Sequence, residues 1–232
     1  MQIKSKILTI IFSKDRPMQL DCLVRSVQKN CPELSNMGVI TKATHDDYKR
    51  GYALIKGAKI FYERTIKHTL LRLFEITSSE YICFMVDDDI VFRTVDKIVY
   101  PTEPKTVFSL RLGENIKHKI HLGYQMSVDG HIFYRKDILP LIQKANFKDP
   151  NQLEGELCKS RKGWKIIYDK QCLVGIPHNR VSDSSGCTYT NKYSTKELCD
   201  MFLNNRHIDF EAMNFSGINN VHANIDYKFK KY

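Results

Sequence analysis

Three consecutive carboxylates, Asp87-Asp88-Asp89, follow the apolar run Tyr81-Ile82-Cys83-Phe84-Met85-Val86 and precede Ile90-Val91-Phe92. A short run rich in β-forming residues reads as a buried strand, so the triplet falls at that strand's C-terminal end. Burying an ionised carboxylate costs several kcal/mol unless a cation compensates it. The Asp-x-Asp spacing lets two carboxylates one pleat apart face a common hard cation, Mn2+ or Mg2+, with positions left open for phosphate oxygens. In an open α/β sheet, ligands collect outside the carboxyl ends of the strands, where this triplet would lie. An acidic triplet also serves as a plain solvated turn, and the surrounding sequence has to separate the two.

The strand pattern around the triplet sets the fold class. Lys6 to Phe12 is a β-rich apolar run that reads as a buried first strand, ending in Ser13-Lys14-Asp15-Arg16-Pro17. Proline suits the first turn of a helix, and Leu20, Leu23, Val24 and Val27 recur beyond it at helical spacing. Met37 to Thr41 reads as a second strand, and Ala53 to Ile76 as one long helix or two shorter ones, with Ile66, Leu70, Leu73 and Phe74 on the apolar face. With the triplet strand next, the alternation predicts an α/β fold: a central, mainly parallel sheet flanked by helices in a Rossmann-like domain.

Further along, Thr106 to Leu112 reads as a strand, and Asp129-Gly130 as a turn before a short apolar run, with Asp137 capping a helix that carries Pro140 in its first turn. Asp149-Pro150-Asn151-Gln152 combines an N-cap acid, a first-turn proline and a capping-box glutamine, and Glu154 rides on the helix that follows. Cys172 to Pro177 reads as a last strand, Ser194 to Glu197 as a capping box, and Val181 to Tyr193 as a mobile loop. Gly51 to Lys59 lacks the Gly-Lys-Ser/Thr ending of a phosphate-binding loop and takes no phosphate role.

Composition narrows the class. The 232 residues suffice for one large domain over 1–232, with 42% hydrophobic and 27% charged residues, and no apolar run reaches membrane-spanning length. No signal-peptide pattern opens the chain, and the seven cysteines form no Cys-x-x-Cys pair, so a reducing, cytoplasmic setting is expected. The net charge of +10 implies an anionic partner. No nucleic-acid-binding motif accompanies it, so no specific nucleic acid is expected.

Together, the loop Ser13-Lys14-Asp15-Arg16-Pro17, the triplet, the phrases Ser109-Leu110-Arg111-Leu112-Gly113 and Asp129-Gly130-His131, and the late His222 resemble GT-A fold glycosyltransferases of small bacterial and viral type. The resemblance spans residues 6–225. It implies transfer of a sugar from a nucleoside-diphosphate sugar, a UDP-sugar foremost, to a hydroxyl of a glycan, glycoprotein or lipid-linked acceptor. It also implies a nucleotide-binding half over about 1–100 and an acceptor half over about 101–232.

The implied roles are specific. Ser13, Lys14, Asp15, Arg16, Asp87, Asp88, Arg111 and Gly130 would hold the donor. Asp89, Asp87 and His222 would hold Mn2+ or Mg2+. Glu154 would be the catalytic base of an inverting reaction, with Asp129 beside the donor sugar and also a candidate base. The basic charge adds an expected peripheral association with an anionic membrane face.

Alternatives from other classes remain open at this stage. Asp87-Asp88-Asp89-Ile90-Val91 fits the Asp-x-Asp motif of haloacid-dehalogenase-like phosphatases, in which Asp87 would be the nucleophile, although about 80 residues of α/β pattern precede it. A sugar nucleotidyltransferase would need glycines that the first loop lacks. A basic, non-catalytic module for RNA or anionic lipid would explain the charge alone.

Overall fold

A computed structural model describes residues 6–116, 124–181 and 192–231. The first half alternates as expected: β1 (Ile7–Lys14), α1 (Pro17–Asn30), β2 (Met37–Lys42), α2 (Asp46–Leu54), β3 (Lys59–Tyr62), α3 (Ile66–Glu75) and β4 (Tyr81–Val86). There follow β5 (Asp89–Val91), β6 (Thr106–Ser109), β7 (His131–Tyr134), α4 (Arg135–Lys144), α5 (Pro150–Cys158), β8 (Lys165–Tyr168) and β9 (Leu173–Gly175). The described chain closes with α6 (Thr195–Leu203), β10 (Arg206–Ile208) and β11 (Phe229–Lys231).

Seven strands form the central sheet in the order β3-β2-β1-β4-β7-β6-β8. All neighbours run parallel except β7, which is antiparallel to both β4 and β6. Because the pleat alternates, Ile7 and Ile11 of β1 enter one core, and Leu8, Ile10 and Phe12 enter the other. The first core receives Met18, Leu20, Leu23 and Val27 of α1 with Leu198 and Phe202 of α6. The second receives Leu70, Leu73 and Phe74 of α3, Ile138 and Ile142 of α4, and Leu153 and Leu157 of α5. Burial on both faces explains why β1 and β4 read as unbroken apolar runs.

Several local expectations are met. Asp149 Oδ1 accepts from Gln152 N at 2.8 Å and starts α5, while Ser194 and Glu197 close a reciprocal capping box on α6. Others need correction. Ala53 to Ile76 is helical only in part: α3 buries Ile66, Leu70, Leu73 and Phe74 as expected, but α2 ends at Leu54, β3 is inserted, and Thr65 caps α3 by accepting from His68 N. The β-rich run Lys59-Ile60-Phe61-Tyr62 finds an open edge beside β2, and tertiary pairing overrides its helical spacing.

Asp137 does not cap α4. The helix begins at Arg135, so Pro140 lies past its first turn, and Asp137 Oδ2 accepts from Lys105 N instead. The run from Cys172 forms β9 but pairs with β5 outside the central sheet. Most of the stretch expected as a mobile loop, residues 182–191, lies outside the described residues. Among the described residues, no helix is long and apolar enough to cross a membrane.

His131, on β7, is fully enclosed. Its Nδ1 donates to Gln125 O at 3.3 Å, and its Nε2 has no partner among the described residues. Burial, and secondarily the charge of Arg111, push its pKa down to about 3. The unfolded chain protonates this imidazole near its ordinary pKa, so between about 6.5 and 3 the unfolded state binds the extra proton and stability falls as pH falls. His131→Asn keeps a donor for Gln125 O and removes the titration. Urea denaturation across this range should show the wild type losing on the order of 1 kcal/mol per pH unit more than His131→Asn.

Candidate active site

The chain reverses direction across the sheet between β1 and β4. From β1 it proceeds outward through β2 and β3, then crosses to β4 on the other side of β1. The crevice outside the carboxyl ends of β1 and β4 is therefore the topological switch point. It holds Ser13 to Arg16 on one lip and Asp87 to Asp89 on the other. Register joins the lips directly: Asp87 N donates to Phe12 O at 3.1 Å, and Lys14 N donates to Asp87 Oδ2 at 3.2 Å.

Arg16 neutralises the first two carboxylates. Its buried Nη1 lies 2.9 Å from Asp87 Oδ1 and 3.2 Å from Asp88 Oδ2. Nε donates to Asn179 Oδ1 at 2.7 Å, and Nη2 donates to Asn179 O, which fixes the fork. Burial nevertheless pushes the Asp87 carboxyl up to about 6, with the Asp88 charge adding to it and Arg16 opposing. Ser13 Oγ shares a 2.7 Å hydrogen bond with Tyr52 OH, which also accepts from Arg16 N. Asp15, at φ 56, accepts from both N and Oγ1 of Thr44, and Lys14 Nζ donates to Val181 O. Beside Thr44 a cleft of about 430 Å³ opens at the ends of β2 and β3, lined by Thr41, Lys42, Ala43, Lys49, Tyr62 and Glu63.

A second ion pair reaches the same edge because β7 is antiparallel. Its start lies where β4 and β6 end: Gly130 N donates to Phe84 O, and Leu110 N donates to Gly130 O. Gly130 takes φ +66, and a Cβ there would press on Leu173 at 3.1 Å. The turn thus delivers Asp129 against Arg111, whose Nη1 donates to Asp129 Oδ2 at 2.7 Å and to Ser127 Oγ at 2.9 Å. Asp129, Asp89 and Glu154, in that order, sustain the Arg111 charge against the cost of its burial.

Glu154 is bound to the same loop. Oε1 accepts from Val128 N and Oε2 from Tyr124 OH, each at 3.1 Å, and burial followed by the Asp129 charge raises its pKa.

Asp89 and His222 meet across a glycine. Asp89 pairs with Gly175 between β5 and β9, and Gly175 forms a parallel bridge to His222. Gly175 N donates to Val221 O, and Ala223 N donates to Gly175 O. These residues lie side by side in a small second sheet with the middle side chain missing. A Cβ on Gly175 would lie 2.6 Å from His222 Cδ2 and 3.6 Å from Asp89 Oδ1, so the imidazole leans over the glycine towards the carboxylate. Asp89 is nearly sealed, accepts from Val86 N, and is held well above the carboxylate range by burial and by Asp129 and Asp88.

The donor set suits a hard divalent cation. Among the described residues, buried Asp87 and Asp89 and half-buried Asp88, Asp129 and Glu154 converge on Arg16 and Arg111, so carboxylates outnumber the arginines beside an imidazole nitrogen. Among the described residues, however, no three His, Cys, Asp or Glu side chains form a ready cage. Asp87 is engaged by Arg16 and Lys14, while Asp89 and His222 remain together. Thus every expected site residue lies at the carboxyl edge, in two groups centred on Arg16 and Arg111. Tyr52, Asn179, Ser127, Tyr124 and Gly175 were not singled out from sequence.

Gly175→Ala should displace His222 from Asp89. We expect a loss of about 1–3 kcal/mol in chemical denaturation, as for other overpacked contacts. An unchanged midpoint would show that the strand carrying His222 yields freely.

No model of a known protein family matches the sequence, and no curated protein matches it. Among solved structures, the chain is similar to a mannosyltransferase from Pyrobaculum calidifontis in complex with GDP-Man and Mn2+, with a TM-score of 0.46 and 11% identity. The similarity covers 74% of this chain and 56% of that one, so the chain spans little more than half the length of that structure.

Proposed function

We propose that the chain is a metal-dependent glycosyltransferase that moves a sugar from a nucleoside-diphosphate sugar to an acceptor hydroxyl. The observation that carries this reading is the placement of five carboxylates, two buried arginines and a histidine at the switch point of a mainly parallel sheet. Such surplus negative charge next to fixed cations suits a ligand that brings a diphosphate and a divalent cation together.

In this reading the cleft beside Asp15 and Thr44 takes the nucleoside, with Ser13 and Asp15 facing base and ribose and Asp87 or Asp88 facing the ribose. Arg16 and Lys14 lie where the diphosphate would sit. As the bond from the anomeric carbon to the phosphate oxygen breaks, negative charge grows on the leaving phosphate, and fixed guanidinium and ammonium groups stabilise it. Asp89 and His222 would hold the cation, which when bound supplies further charge stabilisation to the leaving phosphate. Gly130 lets the backbone approach the donor sugar.

Glu154 is the preferred base. Asp129 is taken up by Arg111 at 2.7 Å, whereas the Glu154 oxygens accept from Val128 N and Tyr124 OH, both neutral, and its raised pKa brings it closer to working pH. The acceptor oxygen attacks the anomeric carbon on the face opposite the leaving phosphate as its proton passes to Glu154, which inverts the configuration. Residues 1–100 form the donor half of this scheme and 101–232 the acceptor half. The +10 charge would draw anionic donors and an acceptor at a membrane face.

Calorimetric titration with UDP, GDP, dTDP and CMP, each with Mn2+ and then with chelator, tests the reading. One nucleotide should bind only with metal, and Asp89→Asn should abolish that binding. Failure of all four to bind would remove the proposal. With the matching donor, Glu154→Gln should lower kcat by ~10²–10⁴ while leaving donor affinity within about two-fold.

A further inference from the structure

Arg111 stands where a cation bound by Asp89 and His222 would have to act. The residue is 7% exposed, and its guanidinium is anchored by Asp129 and Ser127 through Nη1. Nη2 faces His222 Nε2 at 3.5 Å, and Nε, though buried, has no acceptor among the described residues. A guanidinium only donates, so in this contact Nε2 is the acceptor and turns its lone pair to Arg111. That lone pair is the one a metal ion on Nε2 would take. A single lone pair cannot serve both, so Arg111 and a divalent cation exclude one another at His222. The orphaned Nε, a buried donor without an acceptor, marks an arrangement that lacks an anionic partner.

Resting on the donor-site reading above, we propose that Arg111 is a resident counter-ion that blocks His222 from metal until a nucleoside diphosphate arrives to pair with the guanidinium. In the free protein Arg111 offsets part of the charge of Asp89, Asp129 and Glu154 and occupies the imidazole lone pair. When the diphosphate enters, its oxygens draw the guanidinium away from His222 and satisfy Nε. The cation then takes Asp89 and the freed Nε2. Metal alone binds poorly because the competent arrangement is a minor one in the free protein.

Mn2+ binding to the intact protein without nucleotide, read from the electron paramagnetic resonance signal of free Mn2+, tests this. Arg111→Met should bind Mn2+ at least about ten-fold more tightly than the wild type, and adding His222→Ala should remove the gain. Equal affinities for Arg111→Met and wild type would overturn the proposal. His222→Ala alone gives a second test should Arg111→Met fail to fold. Without nucleotide it should leave Mn2+ affinity within about two-fold of wild type, and with the bound nucleotide it should weaken Mn2+ at least about ten-fold. Loss of Mn2+ affinity in His222→Ala already without nucleotide would show that Arg111 does not block the imidazole. If nucleotide binds in the wild type but these metal results fail, Arg111 is not the block and the donor site stands. If no nucleotide binds, the donor site itself is wrong.

Discussion

Buried carboxylates at the end of β4 have to be neutralised, and the surrounding structure is arranged to do it. Asp87 and Asp89 are almost completely enclosed, with 3% and 2% exposure. An uncompensated charge there would cost several kcal/mol, so each needs a fixed partner. Arg16 reaches Asp87 and Asp88 because β1 and β4 are parallel neighbours whose ends coincide. Arg111 reaches Asp129, and adds its charge to the field at Asp89, because β7 enters the sheet antiparallel and brings its first turn to the same edge. The single reversed strand of the central sheet thus brings Asp129 to the second cation, which the end of β6 carries to the same edge.

That neutralisation is incomplete, and its incompleteness is chemically informative. Asp87, Asp89 and Glu154 all have raised pKa values, with burial as the leading cause in each. Proteins keep such groups where ligand binding or proton transfer requires them. Gly175 contributes by omission, since its missing side chain is the gap across which His222 and Asp89 approach. The same geometry puts the imidazole within reach of Arg111, which in the proposed scheme links metal affinity to arginine position.

The parts of the fold set by local rules were legible in the sequence. The helix starts at Asp149 and Ser194 follow from hydrogen bonds within four residues, and the unbroken apolar runs of β1 and β4 follow from burial on both faces. The triplet could be placed at a strand end for the same reason. What was not legible depends on long-range register. β3 hid in a stretch with helical spacing because its strand character comes from pairing with β2. Arg111 and Asp129 are 18 residues apart and meet only through the antiparallel β7. His222 was flagged as a late histidine, but its place beside Asp89 rests on a bridge to Gly175 that no local pattern announces. Asn179, which fixes the Arg16 fork, sits 163 residues from it in the chain.

The central claim is that the carboxyl edge between β1 and β4 is where nucleotide and metal meet. Paramagnetic broadening of backbone amide signals by Mn2+ in the presence of the nucleotide that binds would test it most directly. The account predicts that the strongest broadening falls on Asp88, Asp89, Gly175 and His222, and that it spares the opposite edge of the sheet around Tyr81 and Tyr134. Broadening centred away from the triplet, or spread evenly over the surface, would contradict it.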